Sequence, residues 1–227
     1  MGGAEPPLRF PGGVTLVGGG TLDAASLDLA RARAPHLVAA DGGANRLRGG
    51  ALRLDAVIGD MDSVERLEDW ASAGTAILPI DEQETTDLEK CLYATEAPFY
   101  LGVGFLGRRF DHTLAALHAL LRFPDKRVVL IGEDDAVFLA PETWRARLSP
   151  GARVSFFPLA PTRGLASEGL LWPLAGIAFA AGSRIGTSNE ATATEVSARF
   201  DRAGMAAMVE RRHLAAALES LGAFAAR

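Results

Sequence analysis

Residues 56–63 are Ala-Val-Ile-Gly-Asp-Met-Asp-Ser, a short apolar run that ends in a glycine and two carboxylates. Residues 37–45 repeat this arrangement with Leu-Val-Ala-Ala-Asp-Gly-Gly-Ala-Asn. Apolar runs of this length are typical of strands that are buried on both faces of a parallel sheet. In open α/β sheets, ligands bind beyond the carboxyl ends of the strands. The two stretches therefore predict an α/β fold and also the edge of the sheet at which its site lies.

Further runs of the same kind indicate a larger sheet. They lie at residues 14–17, 76–78, 99–103 and 128–131. Between them, apolar residues recur at the spacing of one helix face. The two sets are Leu88, Cys91 and Leu92, and Leu114, Leu117 and Leu121. Alternating strands and helices favour a doubly wound, mostly parallel sheet.

The pattern changes in the second part of the chain. Apolar and polar residues alternate around Val154 and Phe156 and again over residues 195–201, which is typical of half-exposed antiparallel strands. Glycine and proline separate these strands. We therefore expect an α/β domain over residues 1–138, followed by an all-β sandwich domain over residues 139–227.

Composition excludes several classes of function. The 227 residues are 48% hydrophobic and 22% charged, as in folded globular proteins. The 23 basic and 28 acidic side chains give a net charge of −5, which does not favour nucleic acid. Only two residues are lysines, and no Walker A phosphate loop occurs. No apolar run is long enough for a membrane span, the N-terminal residues lack the apolar segment of a signal peptide, and Cys91 is the single cysteine. We expect a cytoplasmic protein.

The strand ends carry candidate binding residues. Asp60 and Asp62 have the D-x-D spacing with which two carboxylates share a hard cation. The glycines of the preceding strand end let backbone N–H groups approach a phosphate, so the candidates there are Asp41, Gly42, Gly43 and Asn45. The alternative is turn chemistry, in which Asp62 or Ser63 caps the following helix.

Two further acidic positions have structural alternatives. Thr86 and Glu89 have the spacing of a helix capping box, and this alone would explain an aspartate at position 87 in the first turn. Asp87 could equally be a third cation ligand. Arg109 could clamp a phosphate and Asp111 could accept a proton from a hydroxyl, or Asp111 could simply cap the next helix.

The second part of the chain offers a polar turn and an aromatic residue. Ser188 and Asn189 could hydrogen-bond a heterocycle, and Trp172 could stack on a flat or cationic ring. The alternative is a β-turn and a core tryptophan.

Taken in order, the motifs at residues 40–45, 58–63, 86–90, 107–112 and 187–189 resemble those of the thiamine pyrophosphokinase family. The resemblance implies transfer of the pyrophosphoryl group of ATP to the hydroxyl of thiamine, with Mg²⁺, giving thiamine diphosphate and AMP. It also implies an α/β domain followed by a β-sandwich, in a homodimer with the site at the subunit interface.

The resemblance further implies roles for individual residues. Asp60, Asp62 and Asp87 would hold Mg²⁺ and the polyphosphate, with Gln83 and Arg109 near the nucleotide phosphates. Asp111 would lie by the thiamine hydroxyl, first to position it and second as a base. On the thiamine side would be Ser188, Asn189 and, from the partner subunit, Trp172.

Other functions use parts of the same pattern. A Mg²⁺-dependent phosphohydrolase would use the same aspartate pair without an acceptor alcohol. A sensor of nucleotide or thiamine would bind ligand and form no AMP. An enzyme acting on a related hydroxymethyl heterocycle would differ only in the shape of its pocket.

Overall fold

The computed structural model describes residues 6–50 and 52–223. They divide into two compact units, and the division falls between Ala119 and Leu120, inside a helix that spans Phe110–Arg122. The predicted boundary between residues 138 and 139 lies later in the chain and stays a prediction. The expectation about a signal peptide concerns in part residues 1–5, which are outside the described residues.

The first unit contains the strands of a parallel sheet. In chain order its strands are β1 Leu8–Arg9, β2 Val14–Val17, β3 His36–Ala40, β4 Ala56–Gly59, β5 Ala76–Pro79, β6 Thr95–Glu96 and β7 Tyr100–Val103. Strands β5, β4, β3, β2 and β7 are neighbours in that order, and every pair is parallel. Strands β1 and β6 form a separate parallel pair. The predicted parallel sheet is confirmed, and the residues of β2, β4 and β7 are all buried.

Helices follow the strands. They are α1 Ala24–Arg31, α2 Leu67–Ser72, α3 Asp87–Ala94 and α4 Phe110–Arg122, with a 3₁₀ helix at Asp41–Leu47. The predicted capping box at the start of α3 is confirmed, because the Thr86 side chain accepts from the Glu89 N–H and the Glu89 carboxylate accepts from the Thr86 N–H. This box fixes where α3 begins and therefore where Asp87 lies.

The second unit is antiparallel. Its strands are β8 Val128–Ile131, β9 Asp135–Leu139, β10 Thr143–Arg147, β11 Arg153–Pro158, β12 Thr162–Glu168, β13 Ala178–Phe179, β14 Gly186–Glu190, β15 Glu195–Phe200 and β16 Met205–Glu210, and α5 spans Leu214–Ser220. One set of neighbours is β14, β11, β16, β9 and β8, and the other is β10, β15, β12 and β13. Strand β8 was expected among the parallel strands, but in this unit it pairs antiparallel with β9.

Aromatic residues join the two antiparallel sets. The Trp144 ring of β10 meets the Phe156 ring of β11 edge to face, with centroids 5.3 Å apart. The Phe156 ring also lies 5.5 Å from the Phe200 ring of β15. All three side chains are buried. The predicted fold class, an α/β unit followed by a β-sandwich, is confirmed. In the described part of the chain, no helix has the length and apolar character needed to cross a bilayer.

Close packing explains one glycine at the end of β3. A Cβ added at Gly43 would lie 2.0 Å from the carbonyl oxygen of Val17, at the end of the neighbouring strand. Backbone at this distance cannot yield without moving a strand. Gly43 is therefore required by the approach of the 3₁₀ helix to β2, whether or not its N–H also binds a ligand.

We expect Gly43→Ala to lower the free energy of unfolding by about 1–3 kcal/mol, the usual cost of an overpacked core, or to prevent folding. Gly19→Ala is the matched control, because its Cβ would meet its nearest atoms at 3.9 Å. Urea titration of both variants measures the difference. Equal stability of the two variants would contradict this account of Gly43.

Candidate active site

Three carboxylates converge where β3 and β4 end. Asp41 directly follows β3, and Asp60 and Asp62 follow β4, its parallel neighbour. One oxygen from each carboxylate lies within 4.8 Å of the others. The backbones of the two strand ends are also very close, because a Cβ added at Gly59 would lie 2.6 Å from the Cβ of Asp41. The sheet therefore forces like charges together at this edge.

Asp41 is the buried member of the group. Its side chain is 4% exposed, its φ of 43° is in the left-handed region, and its buried Oδ1 has no hydrogen-bond partner among the described residues. Burying a polar oxygen without a partner is costly, so such an atom in a native fold calls for an explanation. Carboxylate oxygens are the ligands that Mg²⁺ and Ca²⁺ prefer. The arrangement fits a divalent cation, which would give Asp41 Oδ1 its partner.

Asp60 is held by two side chains that approach the same oxygen. The Gln83 amide Nε2 donates to Asp60 Oδ2 at 2.8 Å, and the ammonium Nζ of Lys90 lies 3.8 Å from that oxygen. The hydrogen bond from Gln83 is the largest cause that lowers the pKa of Asp60 below its ordinary value. The other oxygen, Oδ1, accepts from the Asp62 N–H at 3.3 Å. All three contacts favour the ionised carboxylate.

The loop that carries Gln83 is organised by Glu82. Its carboxylate accepts from the N–H groups of Glu84 and Thr85 at 2.7 and 3.0 Å, from the Thr85 hydroxyl, and from the Tyr93 hydroxyl at 3.0 Å. These donors, the Thr85 hydroxyl foremost, lower the pKa of Glu82 to about 2. The loop is thus tied to α3, and Gln83 is presented to Asp60 from a fixed backbone.

Asp87 lies beside the three converging carboxylates without belonging to them. Burial, and after it the negative charge of Asp41, raise its pKa to about 6, while the positive charge of Lys90 acts in the opposite sense. A carboxyl group is normally half-protonated near pH 4. Asp87 therefore gains a proton much more readily than an exposed aspartate, first because it is buried and second because the carboxylates near it carry the same charge.

Asn45 ties the segment after β3 to the segment after β4. Its Nδ2 donates to the Ser63 carbonyl at 2.7 Å, and its Oδ1 accepts from the Glu65 N–H at 2.9 Å. The Ser63 hydroxyl in turn donates to Asp62 Oδ1 at 2.7 Å. Both polar atoms of the Asn45 side-chain amide bond the protein backbone. The contribution of Asn45 to the site is therefore to brace the loop that carries Asp62.

Arg109 and Asp111 form an exposed ion pair at the start of α4. Arg109 Nη2 lies 2.6 Å from Asp111 Oδ2, and the two side chains are 66% and 64% exposed. Their hydrogen bond lowers the pKa of the Asp111 carboxyl and raises that of the guanidinium. Both groups face solvent, where a polyphosphate or an alcohol could reach them.

In the second unit, Asn189 holds the backbone of Trp172. Asn189 is 4% exposed, its Oδ1 accepts from the Trp172 N–H at 3.0 Å, and its Nδ2 donates to the Trp172 carbonyl at 2.8 Å. Trp172 itself is 56% exposed, so it is not the core residue of the structural alternative. Ser188 has a φ of 61°, and its N–H donates to the Ser155 hydroxyl at 2.9 Å.

Trp172 borders an open groove in the second unit. Its volume is about 310 Å³. Apolar and polar groups share its lining, which includes Trp172, Ile177, Phe179, Arg184, Ser188 and Asn189. Such a groove offers an aromatic face, an apolar wall and hydrogen-bonding groups to a flat polar ring.

The sequence predicted that the strand-end carboxylates lie in the site, and the structure brings three of them together. It placed Asp41 with the phosphate-binding residues, whereas the structure groups Asp41 with Asp60 and Asp62. It did not detect the pairing of Lys90 with Asp60 or the contact of Asn189 with the Trp172 backbone. The signals for Lys90 were its rarity, as one of two lysines in the chain, and its place at the end of the motif at residues 86–90.

Comparison with known proteins identifies relatives of this chain. The family model described as "Thiamin pyrophosphokinase, catalytic domain" matches residues 28–131, and "Thiamin pyrophosphokinase, vitamin B1 binding domain" matches residues 145–203. Thiamine pyrophosphokinase 1 of Oryza sativa subsp. japonica is 34% identical over 192 residues, which cover 69% of this chain and 72% of the relative. Thiamine pyrophosphokinase 1 of Arabidopsis thaliana is 32% identical over 197 residues, covering 71% and 73%.

Solved structures share the fold. Yeast thiamin pyrophosphokinase aligns with a TM-score of 0.76 at 14% identity, covering 92% of this chain and 93% of its own. The enzyme from Geobacillus thermodenitrificans aligns with a TM-score of 0.71 at 23% identity, covering 87% and 96%. At these low identities the solved structures show only that the fold is shared. The plant sequences, which are more than 30% identical, show the family. This chain belongs to the thiamine pyrophosphokinase family.

Proposed function

We propose that this chain transfers the pyrophosphoryl group of ATP to the hydroxyl of thiamine, giving thiamine diphosphate and AMP. In this reaction the hydroxyl oxygen bonds to the β-phosphorus, the bond between that phosphorus and the AMP oxygen breaks, and the hydroxyl proton is released. The observation that carries the proposal is the convergence of three carboxylates, one with a buried unpaired oxygen, at the carboxyl edge of the sheet in a chain of this family.

The acidic group is proposed to hold Mg²⁺. Asp41, Asp60 and Asp62 would bind the ion, with Asp87 beside them. When bound, the ion neutralises the charge that accumulates on the polyphosphate as AMP leaves. The protein supplies fixed ligands, since Gln83 holds Asp60 and the Ser63 hydroxyl holds Asp62.

Arg109 and Asp111 would contact the reacting groups. The Arg109 guanidinium is exposed, cannot lose its charge, and matches the spacing of phosphate oxygens. Asp111, with a pKa below its ordinary value, is ionised and can accept a hydrogen bond from the thiamine hydroxyl. We rank positioning of the hydroxyl above proton removal, because a loose transition state needs little deprotonation of the nucleophile.

The second unit is proposed to bind thiamine. An exposed Trp172 face suits the positively charged thiazolium ring, which a ring quadrupole attracts. Asn189 keeps that face in place through two backbone hydrogen bonds. We propose that residues 1–138 bind the nucleotide and that residues 139–227 bind thiamine and form a homodimer, with the Trp172 of one subunit serving the site of the other. Exposed Leu171, Trp172 and Ile185 support a contact surface in this unit.

The experiment that tests the function uses purified protein with ATP, Mg²⁺ and thiamine, and measures AMP and thiamine diphosphate together. Equal, thiamine-dependent formation of both products is expected. Phosphate release without thiamine diphosphate would indicate a phosphohydrolase, and ligand binding with no product would indicate a sensor. A preference for another hydroxymethyl heterocycle over thiamine would change the acceptor and leave the nucleotide site in place.

We expect Asp60→Asn to reduce kcat by at least about 100-fold, the range seen when one electrostatic contact to the transition state is removed. Asp69→Asn is the matched control, because Asp69 is 51% exposed and pairs with Arg66 on the surface. The measurement is turnover against Mg²⁺ concentration for both variants. Near-normal turnover of the Asp60 variant at saturating Mg²⁺ would remove Asp60 from the cation site.

We expect Trp172→Ala to raise the KM for thiamine about tenfold while the KM for ATP changes little, since a cation–π contact is worth between about 0.5 kcal/mol when exposed and about 2 kcal/mol or more when desolvated. Asn189→Ala should show the same selectivity, because it releases the Trp172 backbone. Trp172→Phe, which keeps a ring, should retain part of the affinity. Parallel rises in both KM values would argue against a thiamine-side role for Trp172.

We expect Asp87→Asn to be more stable than the wild type when both are measured without divalent cations well above pH 6. The folded chain binds the Asp87 proton more tightly than the unfolded chain, whose carboxyl has its ordinary pKa near 4. The stability that this group provides is therefore present at low pH and is lost as pH rises through about 6.

The stability advantage of the Asp87→Asn variant should consequently shrink as pH falls toward 4. Thermal melts of the two proteins across this range measure it. An advantage that stays constant with pH would contradict the unfavourable environment assigned to the Asp87 carboxylate.

A further inference from the structure

Lys90 is an unusual residue in this chain. It is 1% exposed, and it is one of only two lysines among 23 basic residues. Lysine is almost never fully buried unless it is paired. Its Nζ lies 3.8 Å from Asp60 Oδ2, on the inner side of the acidic group. The buried charge is thus placed against the carboxylates and not against solvent.

The charges around Lys90 are unbalanced without a cation. Asp41, Asp60 and Asp62 converge, and their negative charges raise the pKa of Asp87. The positive charge of Lys90 lowers the pKa of both Asp60 and Asp87. Like charges at this separation repel, and the repulsion is weakened by any positive charge placed among them. The ammonium group of Lys90 is one such charge, and it is part of the chain itself.

Lys90 is too deeply buried to contact a ligand. Its side chain is 2% exposed, whereas Asp60 is 17% exposed on the other side of the pair. Any effect of Lys90 on the reaction must therefore pass through the carboxylates. Lys90 is one turn after Asp87 on α3, so the helix that carries Asp87 also carries its counter-charge.

We propose that Lys90 is a positioning residue that fixes the Asp60 carboxylate and stands in for the divalent cation whenever the acidic group is empty. The inference rests on the proposed cation site. It predicts that the acidic group without Lys90 depends on a bound cation for its stability.

The test is the Lys90→Met variant, which keeps the length of the side chain and removes its charge. Melting temperatures are measured with EDTA and with Mg²⁺ at equal ionic strength, without nucleotide or thiamine. We expect Lys90→Met to melt several degrees below the wild type in EDTA. Added Mg²⁺ should raise its melting temperature by more than it raises that of the wild type.

A second variant separates charge from packing. If Lys90 acts through Asp60, the double variant Lys90→Met/Asp60→Asn should melt above Lys90→Met in EDTA and should lose the extra response to Mg²⁺. Lys126→Met applies the same substitution to the other lysine and should respond to Mg²⁺ as the wild type does.

Either of two results would overturn the inference. One is an equal loss of melting temperature in EDTA and in Mg²⁺ for Lys90→Met, and the other is a double variant no more stable than Lys90→Met. If Lys90→Met does not fold, recovery of folding in the double variant supports the inference, and failure to recover overturns it. Failure of the proposed function would show separately, as a wild type that forms no thiamine diphosphate.

Discussion

The close approach of the ends of β3 and β4 determines where the carboxylates of the first unit lie. Because β3 and β4 are neighbours and Gly59 leaves no room between itself and Asp41, carboxylates that follow the two strands cannot avoid one another. Unit charges of like sign about 5 Å apart repel by about 3 kcal/mol at an effective dielectric constant of about 20. A fold selected for stability alone would place neutral residues here. A bound cation would relieve this repulsion, which is the role proposed for Mg²⁺ at the acidic group.

The surrounding loops are built to keep these charges in place. The Glu82 carboxylate organises the loop before α3, and that loop aims the Gln83 amide at Asp60. The capping box of Thr86 fixes the first turn of α3, which carries Asp87. Asn45 braces the segment after β4. Each of these contacts orders a segment of backbone that could otherwise move so that the carboxylates separate. The carboxylates are therefore held in place before a ligand binds. Catalysis benefits from such order, because the site need not reorganise during the reaction.

Local patterns predicted much of this architecture, and long-range contacts account for what they missed. Strands β2, β3, β4, β5, β7 and β8 were predictable from apolar runs, and the start of α3 from the spacing of Thr86 and Glu89, because both signals lie within a few residues. The burial of Asp41 and its unpaired oxygen depend on the packing of Gly59 from the next strand. The pairing of Lys90 with Asp60 joins residues that are far apart in sequence, and no periodicity records it. Composition drew attention to lysine but gave it no partner.

In the second unit, hydrogen bonds from a buried side chain hold an exposed aromatic residue in place. A tryptophan that is 56% exposed loses the hydrophobic stabilisation of burial, and its loop would gain by folding the ring inward. Asn189 opposes this, because movement of the loop would break the bond from its buried Nδ2 to the Trp172 carbonyl and would leave its Oδ1 with the Glu190 N–H but without the Trp172 N–H. An unsatisfied buried amide costs about 1–3 kcal/mol, comparable with the gain from burying a large side chain. The Asn189 bonds therefore offset the tendency of the ring to bury itself, and the aromatic face stays available for a ring brought by a ligand.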